Sequence, residues 1–171
     1  HLDADIPKAA MQIAGGRCVN AGQLCLAPDH IWVHRSVCAE LVEQLQASLQ
    51  QMFFIDGKLN GDALGKIIDE RNFKRVTGYI EDAVARGARV VFGGQSHALE
   101  RTLEPTILLD VPLDARVMQE EVFGPVLPVI VYDDVNEILG YVQNHGKPLA
   151  TYIYSKDQQF IDHVLDHTSS G

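Results

Sequence analysis

Two hydrophobic periods alternate along this chain, and that alternation limits its fold more than any other feature. Short runs dense in Val, Ile and Leu fall at residues 30–34, 89–92, 106–109, 126–132 and 149–154. Longer stretches between most of them carry apolar residues at three- and four-residue spacings. The short runs suit buried strands, and the longer period suits amphipathic helices. Strands separated by helices imply an α/β fold: one mostly parallel sheet of five strands, helices on both faces, and right-handed crossovers. A length of 171 residues fits a single domain with a full core, and no repeat, low-complexity tract or linker divides it.

The helix ends carry local signals. Asp5 caps a first helix with Pro7 in its first turn, and Gly15-Gly16 weakens it near its end. Ser36 is expected to cap a helix bearing Cys38, Leu41, Val42, Leu45, Leu49 and Met52. Asp69 opens another, with Phe73, Val76, Ile80 and Val84 inward and Gly87 as its stop. Asp134 and Glu137 form a capping box for a helix through Val142, and Ser155 starts a last one. Pro128 cannot donate to a ladder, which places its end of the strand at an edge or bulge.

Charge and cysteine content exclude several classes. With 14 Lys+Arg against 23 Asp+Glu the net charge is −9, and no basic cluster offsets it, so neither nucleic acid nor an anionic membrane surface is an expected partner. No apolar stretch reaches the ~20 residues of a membrane span. Three cysteines are too few for a disulfide framework; with no leader pattern, a reducing, cytoplasmic setting is expected. The chain begins at His1 rather than Met and ends directly after a helical pattern, so a piece of a longer protein is expected.

Two segments could carry chemistry. Asn20-Ala-Gly-Gln-Leu-Cys25 lies between a helix and a strand, where α/β proteins place their sites. Gly22 permits an unusual turn just before Cys25, whose sulfur and own N–H could then face one cleft as nucleophile and oxyanion donor. A packed loop cysteine is the competing reading, and spacing alone favours it, since no His or Asp is tied to Cys25 by a recognised interval. Cys18 and Cys38 read as packing residues. The second segment is Gln119-Glu-Glu-Val-Phe-Gly-Pro125. It is either an exposed acidic turn with Phe123 in the core, or a carboxylate for sugar hydroxyls beside a ring that packs on a flat cofactor. No metal site is expected. Cys18 and Cys25 lack ligand spacing, and His163 and His167 share a helix face without the Glu of a zinc-protease helix or a third ligand. His30 and His34 receive no role. Neither a dinucleotide fingerprint nor a P-loop occurs.

Together the two segments resemble the aldehyde dehydrogenase superfamily. Gly22-Gln23-Leu24-Cys25, with Asn20-Ala21 ahead of it, matches its nucleophile motif, and Glu120-Glu-Val-Phe-Gly-Pro125 matches its cofactor motif. Further matches follow in order: Leu64-Gly-Lys-Ile-Ile68, Glu104-Pro-Thr-Ile-Leu108, Lys147-Pro-Leu-Ala150 and Thr168-Ser-Ser-Gly171. The resemblance thus covers essentially all 171 residues. Cys25-Leu-Ala-Pro-Asp29 is similar to the class 3 and coniferyl-aldehyde dehydrogenase branch, while Leu24 departs from the Thr, Val or Cys more frequent there.

The resemblance implies NAD- or NADP-dependent oxidation of an aromatic or medium-chain aldehyde to the acid, through a thiohemiacetal and a thioester on Cys25. It implies that Glu121 holds the nicotinamide ribose and that Phe123 packs near the nicotinamide ring. It places residues 1–171 as the thiol-bearing catalytic domain. The nucleotide-binding domain, general-base Glu, oxyanion-hole Asn and C-terminal oligomerisation segment would lie outside, the intact enzyme would be a homodimer or higher homo-oligomer, and the 171 residues alone would be inactive. Two other readings are an acylating reductase that uses CoA or an acyl phosphate, and a non-catalytic folding or assembly module.

Overall fold

The computed structural model describes residues 1–171. In chain order the elements are α1 (Ile6–Cys18), β1 (Ile31–His34), α2 (Arg35–Phe53), β2 (Phe54–Ile55), β3 (Lys58–Leu59), α3 (Gly61–Leu64), α4 (Glu70–Ala85), β4 (Arg89–Phe92), β5 (Ser96–His97), β6 (Thr102–Leu103), β7 (Thr106–Leu109), α5 (Arg116–Gln119), β8 (Val126–Tyr132), α6 (Val135–His145) and α7 (Gln158–His167). A single 3-10 turn, Val19–Gly22, follows α1.

The central sheet has four strands in the order β1-β8-β7-β4. β1 and β7 both run parallel to β8, and β4 is antiparallel to β7 with a register shift between Val90 and Phe92. The fold is therefore α/β with a mostly parallel sheet. Alternate residues of the strands feed two cores. Ile31, Val33, Ile107, Leu127 and Val129 pack with α1 and α2 on one face. Leu108, Val126 and Ile130 pack with α4, Ala115 to Met118 and Tyr141 on the other. Burial on both faces explains why β8 reads as an unbroken apolar run. No helix is long and apolar enough to cross a membrane.

Several boundary expectations hold. Asp5 caps α1, Asp69 caps α4, and Asp134 with Glu137 forms the capping box of α6. Others need correction. Residues 149–154 form no strand. The segment is held by single bonds: the Tyr154 carbonyl accepts from the His1 ammonium at 2.9 Å, and the Tyr152 hydroxyl donates to Leu26 O at 2.9 Å. A cleft lies between it and β1, and a ladder requires a neighbour at about 4.8 Å.

His34, not Ser36, caps α2, its Nδ1 accepting from the Ser36 N–H. Asp157 rather than Ser155 starts the last helix. Pro128 lies in a central strand, opposite Leu108. Its end of the strand is nonetheless a local edge, as expected, because β1 pairs with β8 only from Val129 onward. In α4 Phe73, Val76 and Ile80 face inward as expected, joined by Tyr79 and Ala83, whereas Val84 is turned to solvent.

Leu45 lies at the centre of the α2 contact and is 0% exposed. Leu45→Ala is expected to lower unfolding stability by about 2–5 kcal/mol, through lost transfer energy and a residual cavity. Urea titration followed by circular dichroism checks it; a loss under about 1 kcal/mol would show that α2 does not anchor this core.

Candidate active site

The loop after α1 is wound unusually tightly. Asn20, Ala21 and Gly22 have φ values of 52°, 53° and 73°, three successive residues in the left-handed region. Such backbone costs of order 1 kcal/mol or more per non-glycine residue and persists only where surrounding contacts enforce it. Those contacts are present. The Gln23 side chain donates to Asn20 O at 2.9 Å and to Lys66 O at 3.0 Å, and it accepts from the Ile68 N–H at 2.9 Å. The loop is thereby tied to residues 66–68. Gly22 is required for space as well as φ: a Cβ there would lie 2.5 Å from the carbonyl carbon of Gly124.

That close approach joins the two segments singled out above. Arg17, 1% exposed at the end of α1, donates from Nη2 to Gly124 O and from Nη1 to Pro28 O at 3.0 Å. Nη1 also pairs with Asp29 Oδ1 at 3.3 Å. Asp29 in turn accepts from the Val122 N–H at 3.0 Å. Burial pulls the Arg17 pKa down and Asp29 opposes that shift; a guanidinium stays charged nonetheless. On the far side, Arg75 of α4 donates to the carbonyls of Glu121 at 3.2 Å, Val122 at 2.9 Å and Phe123 at 3.4 Å. Two arginines thus hold four consecutive carbonyls. Val76 closes the grip, since a Cβ on Gly124 would fall 2.5 Å from its Cγ1.

Cys25 is exposed, and its backbone N–H has no partner within the chain. It borders a mostly apolar cleft of about 650 Å³ that Glu120 and Glu121 also border, so the structure brings the two segments to one opening. Leu26, Trp32, Tyr141 and Tyr152 supply part of the apolar wall. Phe123, half-exposed with a φ of 44°, stands on the same turn but does not line the cleft. Glu121 is exposed and its carboxylate has no hydrogen-bond partner, whereas Glu120 accepts from the Tyr79 hydroxyl. The other thiols differ sharply: Cys18 is buried, with burial pushing its pKa up to about 12, and Cys38 is half-buried and also raised by burial. No group of three or more His, Cys, Asp or Glu is placed to hold a metal.

Sequence reasoning gave no role to Arg17 and Arg75, and named Gln23 and Asp29 only as letters of the matched motifs. Their partners are mostly backbone carbonyls and amides 43 to 107 residues away, and no local spacing encodes such bonds.

The chain can be compared with known proteins on this basis. The profile of the aldehyde dehydrogenase family matches residues 1–171. The dimeric NADP-preferring aldehyde dehydrogenase of Canis lupus familiaris is 38% identical over 169 residues, covering 99% of this chain and 36% of that protein. A probable coniferyl aldehyde dehydrogenase of Caulobacter vibrioides is 40% identical over 176 residues, covering 98% and 35%. The substrate-bound structure of Staphylococcus aureus AldH superposes with a TM-score of 0.90 at 34% identity, covering 98% of this chain and 36% of that one. The chain therefore spans little more than a third of the length of these relatives.

Removing the guanidinium with Arg17→Met leaves Gly124 O and Pro28 O without their donor and Asp29 without its cation. The expected loss is about 2–4 kcal/mol of unfolding stability, with Arg17→Lys intermediate. Equilibrium unfolding checks it, and a neutral Arg17→Met would show that the two turns hold together without the cation.

His30 faces the cleft edge-on to Tyr141. Burial lowers its pKa, with His145 and Arg17 adding to the effect and Asp29 opposing it. As pH falls, the unfolded chain therefore takes up this proton before the native one. The stability His30 contributes is present above the unfolded value of about 6.5 and is lost as pH drops toward the folded one. His30→Phe is expected to flatten the decline of unfolding free energy between about pH 7 and pH 5; an unchanged slope would assign that decline to other groups.

Proposed function

The chain belongs to the aldehyde dehydrogenase family, and on that premise we propose that residues 1–171 are the thiol-bearing catalytic domain of an NAD(P)-dependent enzyme that oxidises aldehydes to carboxylic acids. One observation carries the reading: the exposed thiol of Cys25, with its unengaged N–H, shares a cleft with the unpartnered carboxylate of Glu121.

Cys25 loses its thiol proton and its sulfur adds to the aldehyde carbonyl carbon, giving a thiohemiacetal. The Cys25 N–H donates to the oxyanion so formed. When bound, the nicotinamide supplies an acceptor for the hydride of that carbon. Cys25 then carries an acyl thioester, which water cleaves to the acid and the free thiol. A cofactor fits the residues present, because Glu121 offers two free carboxylate oxygens, the acceptors that ribose hydroxyls require. Phe123 stands beside it on the turn as a ring for the nicotinamide. NADP is favoured by the name of the canine relative, and aromatic or medium-chain aldehydes by the apolar walls of the cleft and the name of the Caulobacter relative. The setting is taken as cytoplasmic and the intact enzyme as a homo-oligomer, on the same family resemblance. The general base, the second oxyanion donor and the surface for the rest of the dinucleotide belong, in this reading, to other parts of a longer protein.

Two results are expected together. A limiting alkylating reagent labels Cys25 before Cys18 and Cys38, as mapped by mass spectrometry. The 171-residue chain, given an aromatic aldehyde and excess NADP, shows no Cys25-dependent NADPH formation, because loss of one oxyanion donor costs about 100- to 1,000-fold and loss of a general base about 100- to 10,000-fold. Preferential labelling of Cys38 would remove Cys25 as the nucleophile. Turnover near ordinary rates of ~10 per second, abolished by Cys25→Ala, would show that the chain is catalytically complete.

A further inference from the structure

Glu120 and Glu121 stand side by side but in unequal surroundings. Glu120 has extended backbone, φ −129° and ψ 151°, so consecutive side chains leave the chain in opposite directions. The Glu120 carboxylate accepts from the Tyr79 hydroxyl at 2.8 Å and lies 3.5 Å from Arg116 Nε. Tyr79 is fully buried and accepts from Arg75 Nη1 at 3.0 Å. The guanidinium carbons of Arg75 and Arg116 lie 5.3 Å and 5.2 Å from its ring centre. Arg75 also donates to the carbonyls of Glu121, Val122 and Phe123. One face of α4 therefore grips both the backbone of the turn and one of its two carboxylates.

We propose that this face of α4 selects which carboxylate meets the cofactor: Arg75 and Tyr79 are positioning residues that hold Glu120 against the protein and so present Glu121 to the ribose. The inference rests on the proposed cofactor role of Glu121. Without the Tyr79 hydroxyl, Glu120 is free to turn and Arg75 loses one of its acceptors. The turn can then rotate, and the two negative charges compete for one opening. The grip is polar and directional, so a variant that keeps the hydrogen-bond pattern keeps the position.

The chain has one tryptophan, Trp32, and it lines the same cleft. Energy transfer from Trp32 to reduced nicotinamide therefore reports NADH binding without turnover. In the 171-residue chain, Glu121→Gln and Tyr79→Phe are each expected to weaken NADH binding about tenfold. Adding Tyr79→Phe to Glu121→Gln is expected to weaken it no further, because the two act through one contact. Glu120→Gln keeps an acceptor for Tyr79 and is expected to stay within about twofold of the parent chain. Arg75→Lys serves as the second variant, with about a fivefold loss expected, and unfolding midpoints identify any variant that has lost its fold. If Glu121→Gln weakens binding while Tyr79→Phe and Arg75→Lys do not, or if the losses multiply, the selection by α4 is overturned and the role of Glu121 stands. With NADH raised until the parent chain gives transfer, a Glu121→Gln chain that binds as well as the parent removes the role of Glu121, and the positioning proposal falls with it.

Discussion

A buried guanidinium joins the two halves of this site. Arg17 leaves the last turn of α1 and is 1% exposed, yet it reaches both the turn that carries Glu121 and the residues just after Cys25. Placing a cation in such a position costs several kcal/mol unless it is surrounded by acceptors. Here Pro28 O, Asp29 and Gly124 O accept from its two terminal nitrogens, and only Nε is left buried without a partner. Asp29 accepts from the Val122 N–H as well, so the carboxylate ties the same two turns by a second route. The loop of Cys25 and the loop of Glu121 cannot slide past one another without breaking charge-assisted bonds, which are about twice as strong as neutral ones.

The layered core makes this arrangement possible. β8 is buried on both faces, with α1 and α2 on one side and α4 on the other. Both turns therefore emerge at the same end of one sheet, and each is flanked by a helix rooted in a different core. Arg17 comes from the α1 side and Arg75 from the α4 side, and they meet across the four carbonyls from Glu121 to Gly124. Val122 roots the turn in the second core, and the two arginines fix the backbone on either side of it. Glu121 and Cys25 can remain exposed while their backbones stay fixed, which a reactive site at a cleft requires.

Much of this was legible in the sequence, and the division follows interaction range. Asp5, Asp69 and Asp134 announce their helices because a cap bonds to amides two or three residues on. The runs at 106–109 and 126–132 announce strands because two-sided burial demands them. Residues 149–154 have the composition of a strand, but a ladder depends on a neighbour, and the side of β1 facing them borders a cleft. Pro128 marked a local edge, as a missing N–H implies, although β8 as a whole is central, because the adjacent strand begins only at Val129. His34 was passed over as a cap because its ring nitrogen accepts in place of the expected Ser36 hydroxyl. For the site, the motif residues Cys25, Glu121 and Phe123 were singled out by the family resemblance, since type and spacing left each with a packing alternative, and the arginines that hold their loops carried no such signal. Arg17 in an otherwise apolar helix end, and Arg75 one residue from the inward-facing Val76, look like ordinary surface charges until their acceptors 107 and 47 residues away are known.

The strained turn at Asn20, Ala21 and Gly22 shows what these long-range bonds achieve. Left to itself, a non-glycine residue in the left-handed region relaxes, and two in succession relax more readily still. Relaxation here would withdraw Gly22 from Gly124 and turn Cys25 away from the cleft. Three bonds from Gln23 to Asn20 and residues 66–68 oppose it from one side, and the Arg17 bonds oppose it from the other. The strain is the outcome of a competition that local propensity loses to polar contacts with distant backbone. A thiol presented this way sits on a fixed backbone, because the cost of ordering its loop was met during folding. The same logic explains why Gly is needed at 22, where a Cβ would meet the Gly124 backbone, and at 124, where it would meet the Val76 side chain, and is not needed at 20 and 21, where long-range bonds enforce the left-handed backbone.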